Sequence, residues 1–349
     1  MPSRPGTHPK PDRWTHEREV REFMSTTIRD IAAADLERVI ELDRRLTGKP
    51  RRNYHEKRLA AVTAEPASFV TLTAADGPVL KGYAYAHILD GEFGGAGPVG
   101  VLDTIGIDPD QRGQGLGRKL LAALEEALKK RGVKELVSQA DWTEHGITRF
   151  FQSAGFELAP RLVLERTTDN VSDFEAPLAQ QVRDSDEVDL SDPSGDDYAA
   201  LSRDRVPVRS LTEADYPFIV SVDRKVTRRD RSTYYTRKIA EVTKESGVRV
   251  SLVAEIDNLF AGFVMARTEY GEFGRAQTTA VLDTIGVDPA YARHSVGRAM
   301  MSQLLTNLSS LGVEKVQTQL AWDSFDLMGF LARCGFKPSQ RLIFQRRLG

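Results

Sequence analysis

The sequence predicts an α/β chain, in detail an α+β mixed sheet, that is built twice. Sliding the 349 residues against themselves by 180 positions aligns Val101 to Gly106 (VLDTIG) with Val281 to Gly286 and Gly91 to Gly94 (GEFG) with Gly271 to Gly274, without a gap. The same offset sets Trp142 on Trp322, Gly155 and Phe156 on Gly335 and Phe336, and Arg161 and Leu162 on Arg341 and Leu342. Between about residues 28 and 166, roughly a third of positions recur in their partner. Solenoid repeats run at roughly 20 to 50 residues, so this period means two whole domains. Within each copy, period-two strand patterns alternate with 3.6-period helix patterns, and strands outnumber helices.

The elements follow in the same order in both copies. A helix is predicted from near Asp35, with Leu36, Val39, Ile40 and Leu46 on one face, and its partner begins at Asp215. Alternating strands come next at Ser68 to Ala74 and Leu80 to Leu89, then a Gly-rich turn and a strand from Gly100 to Ile107. A second amphipathic helix runs from Gly117 to Arg131, with Leu120, Leu121, Leu124 and Leu128 on its apolar side and Gly132 ending it. A strand at Glu135 to Ala140, a short helix near Ile147 to Ser153 and a closing strand from Phe156 to Arg166 complete the copy.

Composition bounds the function. Forty-eight basic against 50 acidic side chains leave a net charge of -2, which gives none of the field that nucleic-acid binding normally uses. The single cysteine, Cys334, excludes an intrachain disulfide and a thiolate metal cluster and suits a reducing cytoplasm. The six histidines show no ligand spacing, so no metal is expected, and no apolar run is long enough to predict a membrane span. Residues 1–25 are rich in Pro, Arg, Lys and His and read as a disordered leader, with Met1 and Met24 both open as starts. The expected domains are 26–166 and 207–349, joined by an acidic linker over 167–206.

The chemistry concentrates where the strand ending at Ile107 turns through Asp108 to Gln111 into RGQGLG, Arg112 to Gly117, at a helix N-terminus. Closely spaced glycines let backbone approach a ligand, and the free N–H groups of a first helical turn favour phosphate. Arg118 occupies the last position of a GxGxxG fingerprint, and no Gly-Lys pair completes a Walker loop. The pattern Arg112-x-x-Gly115-x-Gly117 between an apolar strand and an amphipathic helix resembles the acyl-CoA pyrophosphate loop of the GNAT superfamily of N-acetyltransferases. The order of elements, including Phe150, Phe151, Gly155 and Phe156, matches that fold too, over residues 26 to 166 and again over 206 to 349.

The resemblance implies transfer of an acetyl group from acetyl-CoA, as co-substrate, to an amine. It assigns the pyrophosphate to Arg112, Gly113, Gln114, Gly115, Leu116, Gly117 and Arg118, and the pantetheine arm to the strand at Ile105, Gly106 and Ile107. An N–H of that strand would polarise the thioester carbonyl. In the second copy Arg112, Gly113 and Gly115 become Ala292, Arg293 and Ser295, and Gly297 alone keeps its glycine. That copy is expected to bind CoA poorly and to stand in for the second subunit of a dimer, leaving the chain a monomer with an internal pseudo-twofold.

The family's usual acid, a tyrosine before the Gly-Phe step, is Phe151 here and Leu331 in the second copy. Asp103, two residues before Ile105, is the candidate base, although Asp283 persists in the copy without an intact loop and so a structural role for both stands open. Residues present only in the first copy supply the remaining candidates. His145 (Phe325) joins Asp103 as a catalytic candidate, Tyr85 (Met265) and His87 (Arg267) as substrate contacts, and Asp141 and Glu144 differ likewise. Trp142 and Trp322 read as packing anchors, Glu92 and Phe93 as turn architecture, and Arg44, Arg45, Lys49, Arg51 and Arg52 as a basic helix end or an attraction for an acidic acceptor. The acceptor class is open between small amines and protein lysine. A non-catalytic acyl-CoA sensor and a transferase with a longer acyl donor are the competing readings.

Overall fold

The computed structural model describes residues 26–90, 97–168, 206–240, 250–270 and 278–349. The expected leader, most of the linker and the GEFG turns, with Glu92, Phe93, Glu272 and Phe273, lie outside the described residues. The first copy runs β1 (Thr27–Asp30), α1 (Leu36–Thr47), α2 (Arg52–Ala64), β2 (Phe69–Asp76), β3 (Val79–Asp90), β4 (Pro98–Ile107), α3 (Leu116–Lys129), β5 (Glu135–Asp141), α4 (His145–Ser153), β6 (Glu157–Leu158) and β7 (Arg161–Thr167). The second repeats it as β8 (Val208–Ser210), α5 (Tyr216–Thr227), α6 (Ser232–Ala240), β9 (Leu252–Ile256), β10 (Leu259–Tyr270), β11 (Thr278–Val287), α7 (Val296–Ser310), β12 (Lys315–Ala321), α8 (Phe325–Arg333), β13 (Lys337–Pro338) and β14 (Arg341–Arg347). The predicted closing strand is two strands, because the chain breaks its ladder at Ala159 and Pro160.

Each sheet has seven strands, and neither belongs to one copy alone. Their orders are β1-β2-β3-β4-β5-β14-β6 and β13-β7-β12-β11-β10-β9-β8. Strand β14 pairs antiparallel with β5 from Arg341↔Asp141 to Arg347↔Glu135, while β7 pairs with β12 from Arg161↔Ala321 to Thr167↔Lys315. The two registers superpose under the 180-residue offset, so the exchange is reciprocal and pseudo-twofold. Each sequence copy therefore completes the sheet of the other.

The cores show why the crossing is favourable. Leu120, Leu121, Leu124 and Leu128 of α3 cover one face of the first sheet, against Val70, Leu72, Ala84, Ala86, Leu102 and Leu136, and Phe344 arrives there from β14. Leu164 of β7 is buried in the corresponding second core. Withdrawing such a side chain would expose an apolar group worth about 2 kcal/mol. Ala159, Val163 and Ile343 pack where the incoming strands meet. Arg346 crosses to Glu125 at 2.9 Å, and burial pushes the Glu125 carboxyl up despite that cation. Trp142 and Trp322, expected as packing anchors, are 53% and 52% exposed; their backbone N–H groups donate to Gln340 and Pro160, next to the crossing strands.

The opposite face of the first sheet is covered by α1 and α2. Val39 and Leu42 pack with Tyr54, Leu80, Tyr83 and Tyr85. Helix α2 presents Tyr54, His55 and Arg58 to the protein from one face, and Arg51, the residue that caps its N-terminus, turns the same way.

Candidate active site

Strands β4 and β5 are parallel neighbours, but they pair only at Val99↔Glu135, Gly100↔Leu136 and Val101↔Val137. The Ser138 hydroxyl donates to the Leu102 carbonyl at 2.9 Å, and beyond it the strands splay. Asp108 donates its N–H to Lys81 of β3. By alternation the backbone of Gly106 and Thr104 also faces β3, whereas the polar groups of Ile105 and Ile107 face the gap. Two strand residues thus hold backbone donors and acceptors open to a ligand.

The gap leads to the helix mouth. Gly113 and Gly115 take the left-handed conformation, each at φ +76°, and a Cβ at either would meet no protein atom within 4 Å. The first hydrogen bond of α3 runs from Lys119 to the Gly115 carbonyl, so Leu116, Gly117 and Arg118 begin the helix with N–H groups that have no intrahelical acceptor. Their partial charge of about +0.5 suits a phosphate. Gly117 serves packing: its Cβ would stand 3.2 Å from Phe150, just as Gly297 would meet Phe330 at 3.3 Å. Gly106 is likewise held bare by the Tyr83 ring and Leu46. Arg112, Gly113, Gly115, Arg118 and Arg149 line the same cleft, of about 950 Å³, as Ile105, Ile107, Asp103 and His145.

This combination of splayed strands and glycine-lined helix mouth occurs in a sequence that matches the Acetyltransferase (GNAT) family over residues 32–156 and again over 208–336. The chain belongs to the GNAT acetyltransferase family. It carries two GNAT units. A mycothiol acetyltransferase from Thermobispora bispora is 32% identical over 92 residues, which span 26% of this chain and 30% of that protein. Among solved structures, a tandem GNAT protein from the clavulanic acid biosynthesis pathway superposes with a TM-score of 0.61 at 14% identity, covering 93% of this chain and 99% of that one. A GCN5-related N-acetyltransferase from Sphaerobacter thermophilus gives 0.56 at 13% identity over 93% and 96% of the two chains. These likenesses establish the tandem fold.

At the other end of the GNAT cleft, two aspartates stand in unlike surroundings. Asp43 is fully buried and satisfied: Arg51 donates to Oδ2 at 2.9 Å and to Oδ1 at 2.6 Å, and Tyr83 donates to Oδ1 at 2.6 Å. His55 Nε2 lies 3.2 Å from Oδ2 and its Nδ1 3.2 Å from the Tyr85 hydroxyl. Burial alone would raise the Asp43 carboxyl, but these partners outweigh it and hold it well below the usual range. Burial pushes the Tyr83 and Tyr85 phenols up, so both keep their protons.

Asp103 is the extra residue of a β-bulge, standing between the pairs Tyr85↔Thr104 and Ala86↔Leu102. Its Oδ2 meets Arg58 at 3.0 Å and His87 Nδ1 at 2.9 Å, while its buried Oδ1 has no hydrogen-bond partner. The structure therefore brings Asp103 and His145 to the cleft with the loop. His145 is exposed at the start of α4, next to Glu144 and Gly146. Tyr85 and His87 do not line the cleft; Tyr85 lies in the aromatic cluster with Tyr54, His55 and Tyr83, and His87 stands behind Asp103. Asp141 accepts from the backbone N–H and hydroxyl of Thr143, a turn role.

Phe151, at the position of the family's tyrosine, is buried with its ring 5.0 Å from Phe156 and 4.9 Å from Phe344. The basic run forms ion pairs within the fold: Arg44 with Glu41, Arg45 with Asp108 and Asp110, Arg51 with Asp43, and Arg52 with Glu37 and Glu56. Arg45 thereby ties α1 to the turn that leads into the glycine-rich loop. Sequence reasoning missed Asp43, His55, Arg58 and Tyr83 and named Arg51 only within the basic run, although the offset carried a signal, since His55 and Tyr83 become Tyr235 and Phe263.

Proposed function

We propose that the first copy transfers an acetyl group from acetyl-CoA to a primary amine, and that the second copy shapes and completes the fold. One observation supports this above the rest: a single cleft joins unpaired backbone at Ile105 and Ile107 to the bare helix mouth at Gly113 to Arg118. The pyrophosphate rests on the mouth, the pantetheine arm lies along β4, and Asp103 faces the acceptor. The ammonium gives one proton to Asp103 Oδ1, and its lone pair forms the N–C bond as the C–S bond breaks. The second nitrogen proton and the departing thiolate are balanced through solvent, because Phe151 offers no hydroxyl and Tyr83 is committed to Asp43. His145, at the rim beside the cleft, is the second candidate for handling these protons.

Calorimetric titration with acetyl-CoA tests the assignment. One site, lost in Gly115→Val while the folded circular dichroism spectrum is kept, is the expected result. Two sites would restore the second copy as a donor site, and none would remove acetyl-CoA from the reading. Binding without thiol release toward any amine would favour the sensor reading, which the phenylalanine at position 151 motivates. A longer acyl-CoA that displaces acetyl-CoA more tightly than it is itself displaced would favour the longer donor. The reciprocal strands let one chain satisfy its own twofold, so a monomer is expected by light scattering. Cys334 is the single cysteine and is buried, so the chain relies on no intrachain disulfide, which suits a reducing cytoplasmic setting.

A further inference from the structure

The proposed proton transfer uses one oxygen of Asp103, and the other oxygen is held by two residues outside the cleft. We infer that Arg58 and His87 are positioning residues: by binding Oδ2 together they leave Oδ1 as the oxygen offered to the acceptor amine. This inference rests on the reading of Asp103 in the proposed function.

The geometry is specific. The bulge at Asp103 places the carboxylate between α2 and β3, with its side chain fully buried. The Arg58 guanidinium lies 5.7 Å from the Tyr54 ring centre and 5.3 Å from that of Phe69, so two aromatic faces hold it in place. His87 approaches from β3 with its ring 6.1 Å from Phe69. The second copy keeps the same architecture with different chemistry: Asp283 pairs with Lys238 at 3.2 Å and with Arg267. An imidazole can donate to a carboxylate without carrying charge, whereas a guanidinium cannot. At the position of His87 the second copy therefore sets the obligatory cation of Arg267 beside its aspartate. A cation added beside a carboxylate weakens it as a proton acceptor and disfavours an arriving ammonium. The two copies thus differ at the acceptor end independently of their loops.

The test uses the full chain, measuring thiol release from acetyl-CoA with n-butylamine as acceptor and with water alone, beside calorimetric acetyl-CoA binding. D103N is expected to lose about a hundredfold in kcat. H87R, which installs the second copy's residue, should lose about tenfold in kcat and raise the n-butylamine KM, with acetyl-CoA affinity kept. H87Q donates without charge and should stay within about threefold of wild type, and R58K should retain clearly more turnover than R58Q. Wild-type turnover in H87R beside an inactive D103N overturns the clamp and leaves the Asp103 reading standing. An active D103N, or no thiol release by the wild type with either acceptor, overturns both. Should H87R also lose acetyl-CoA affinity, the Arg58 pair decides: equal loss in R58K and R58Q overturns the clamp.

Discussion

The two loops that open α3 and α7 have the same backbone and different side chains. Gly113 and Gly115 sit at φ +76°; their counterparts Arg293 and Ser295 sit at +67° and +57°. A residue with a Cβ costs roughly 1–2 kcal/mol in that conformation, yet the second copy adopts it twice. Glycine is therefore not what makes the turn. What it adds is empty space, since no protein atom lies within 4 Å of a Cβ at Gly113 or Gly115, and a ligand can reach the helix N–H groups there. The second copy keeps the helix mouth and places side chains in front of it.

The largest test converts one loop into the other. Gly113→Arg with Gly115→Ser should cost acetyl-CoA at least about a hundredfold in affinity, or roughly 2.7 kcal/mol, with the fold retained; an unchanged dissociation constant in calorimetry would break the comparison. Next comes Asp43→Asn, which strands the buried Arg51 and should lower stability by about 3 kcal/mol at neutral pH. The Asp43 carboxyl is held below its ordinary range, so its stabilisation is complete above about pH 4 and is lost as the pH falls through the lower folded value. The gap between wild-type and variant melting temperatures should be constant from neutrality down to mild acid and close only below it. Tyr83→Phe gives the first copy the residue of the second, Phe263, and removes one donor from Asp43, for a loss of about 1–2 kcal/mol in denaturant unfolding. The smallest effect is expected from Ser295→Gly, which relieves left-handed backbone and should raise the melting temperature by an amount matching about 1 kcal/mol. It should create no second acetyl-CoA site while Arg293 remains.

These contrasts also show what could be read in the chain. Helices α1, α3 and α4 were visible because their apolar residues recur at helical spacing. Helix α2 was not, because the face it turns inward, Tyr54, His55 and Arg58, with Arg51 at its cap, carries polar groups; its echo at Arg231, Tyr234, Tyr235 and Lys238 was present in the repeat all the same. The glycine-rich turn from β4 into α3 was legible down to its residues, since glycine spacing at a strand-to-helix turn is local chemistry. Asp103 was legible as a candidate from strand alternation, but its bulge is set by the register against β3, and its Oδ2 partners, His87 and Arg58, come from β3 and α2. Tyr85 and His87 share a strand, as alternation implied, yet both lie behind the cleft.

The sequence by itself determined that this is a duplicated α/β chain with one glycine-rich and one altered strand-to-helix loop, because repeats, periodicity and glycine spacing act over short stretches of backbone. Only the tertiary structure decided which sheet each closing strand would join. Arg161-Leu162 and Arg341-Leu342 carry nearly the same pattern and would satisfy either ladder, so local preference is silent. The choice falls to register and burial across the whole molecule, where Leu164 and Phe344 each fill the other copy's core. The same long-range packing left Asp43 fully partnered and Asp103 with one oxygen open, a difference that two aspartates in a sequence cannot show.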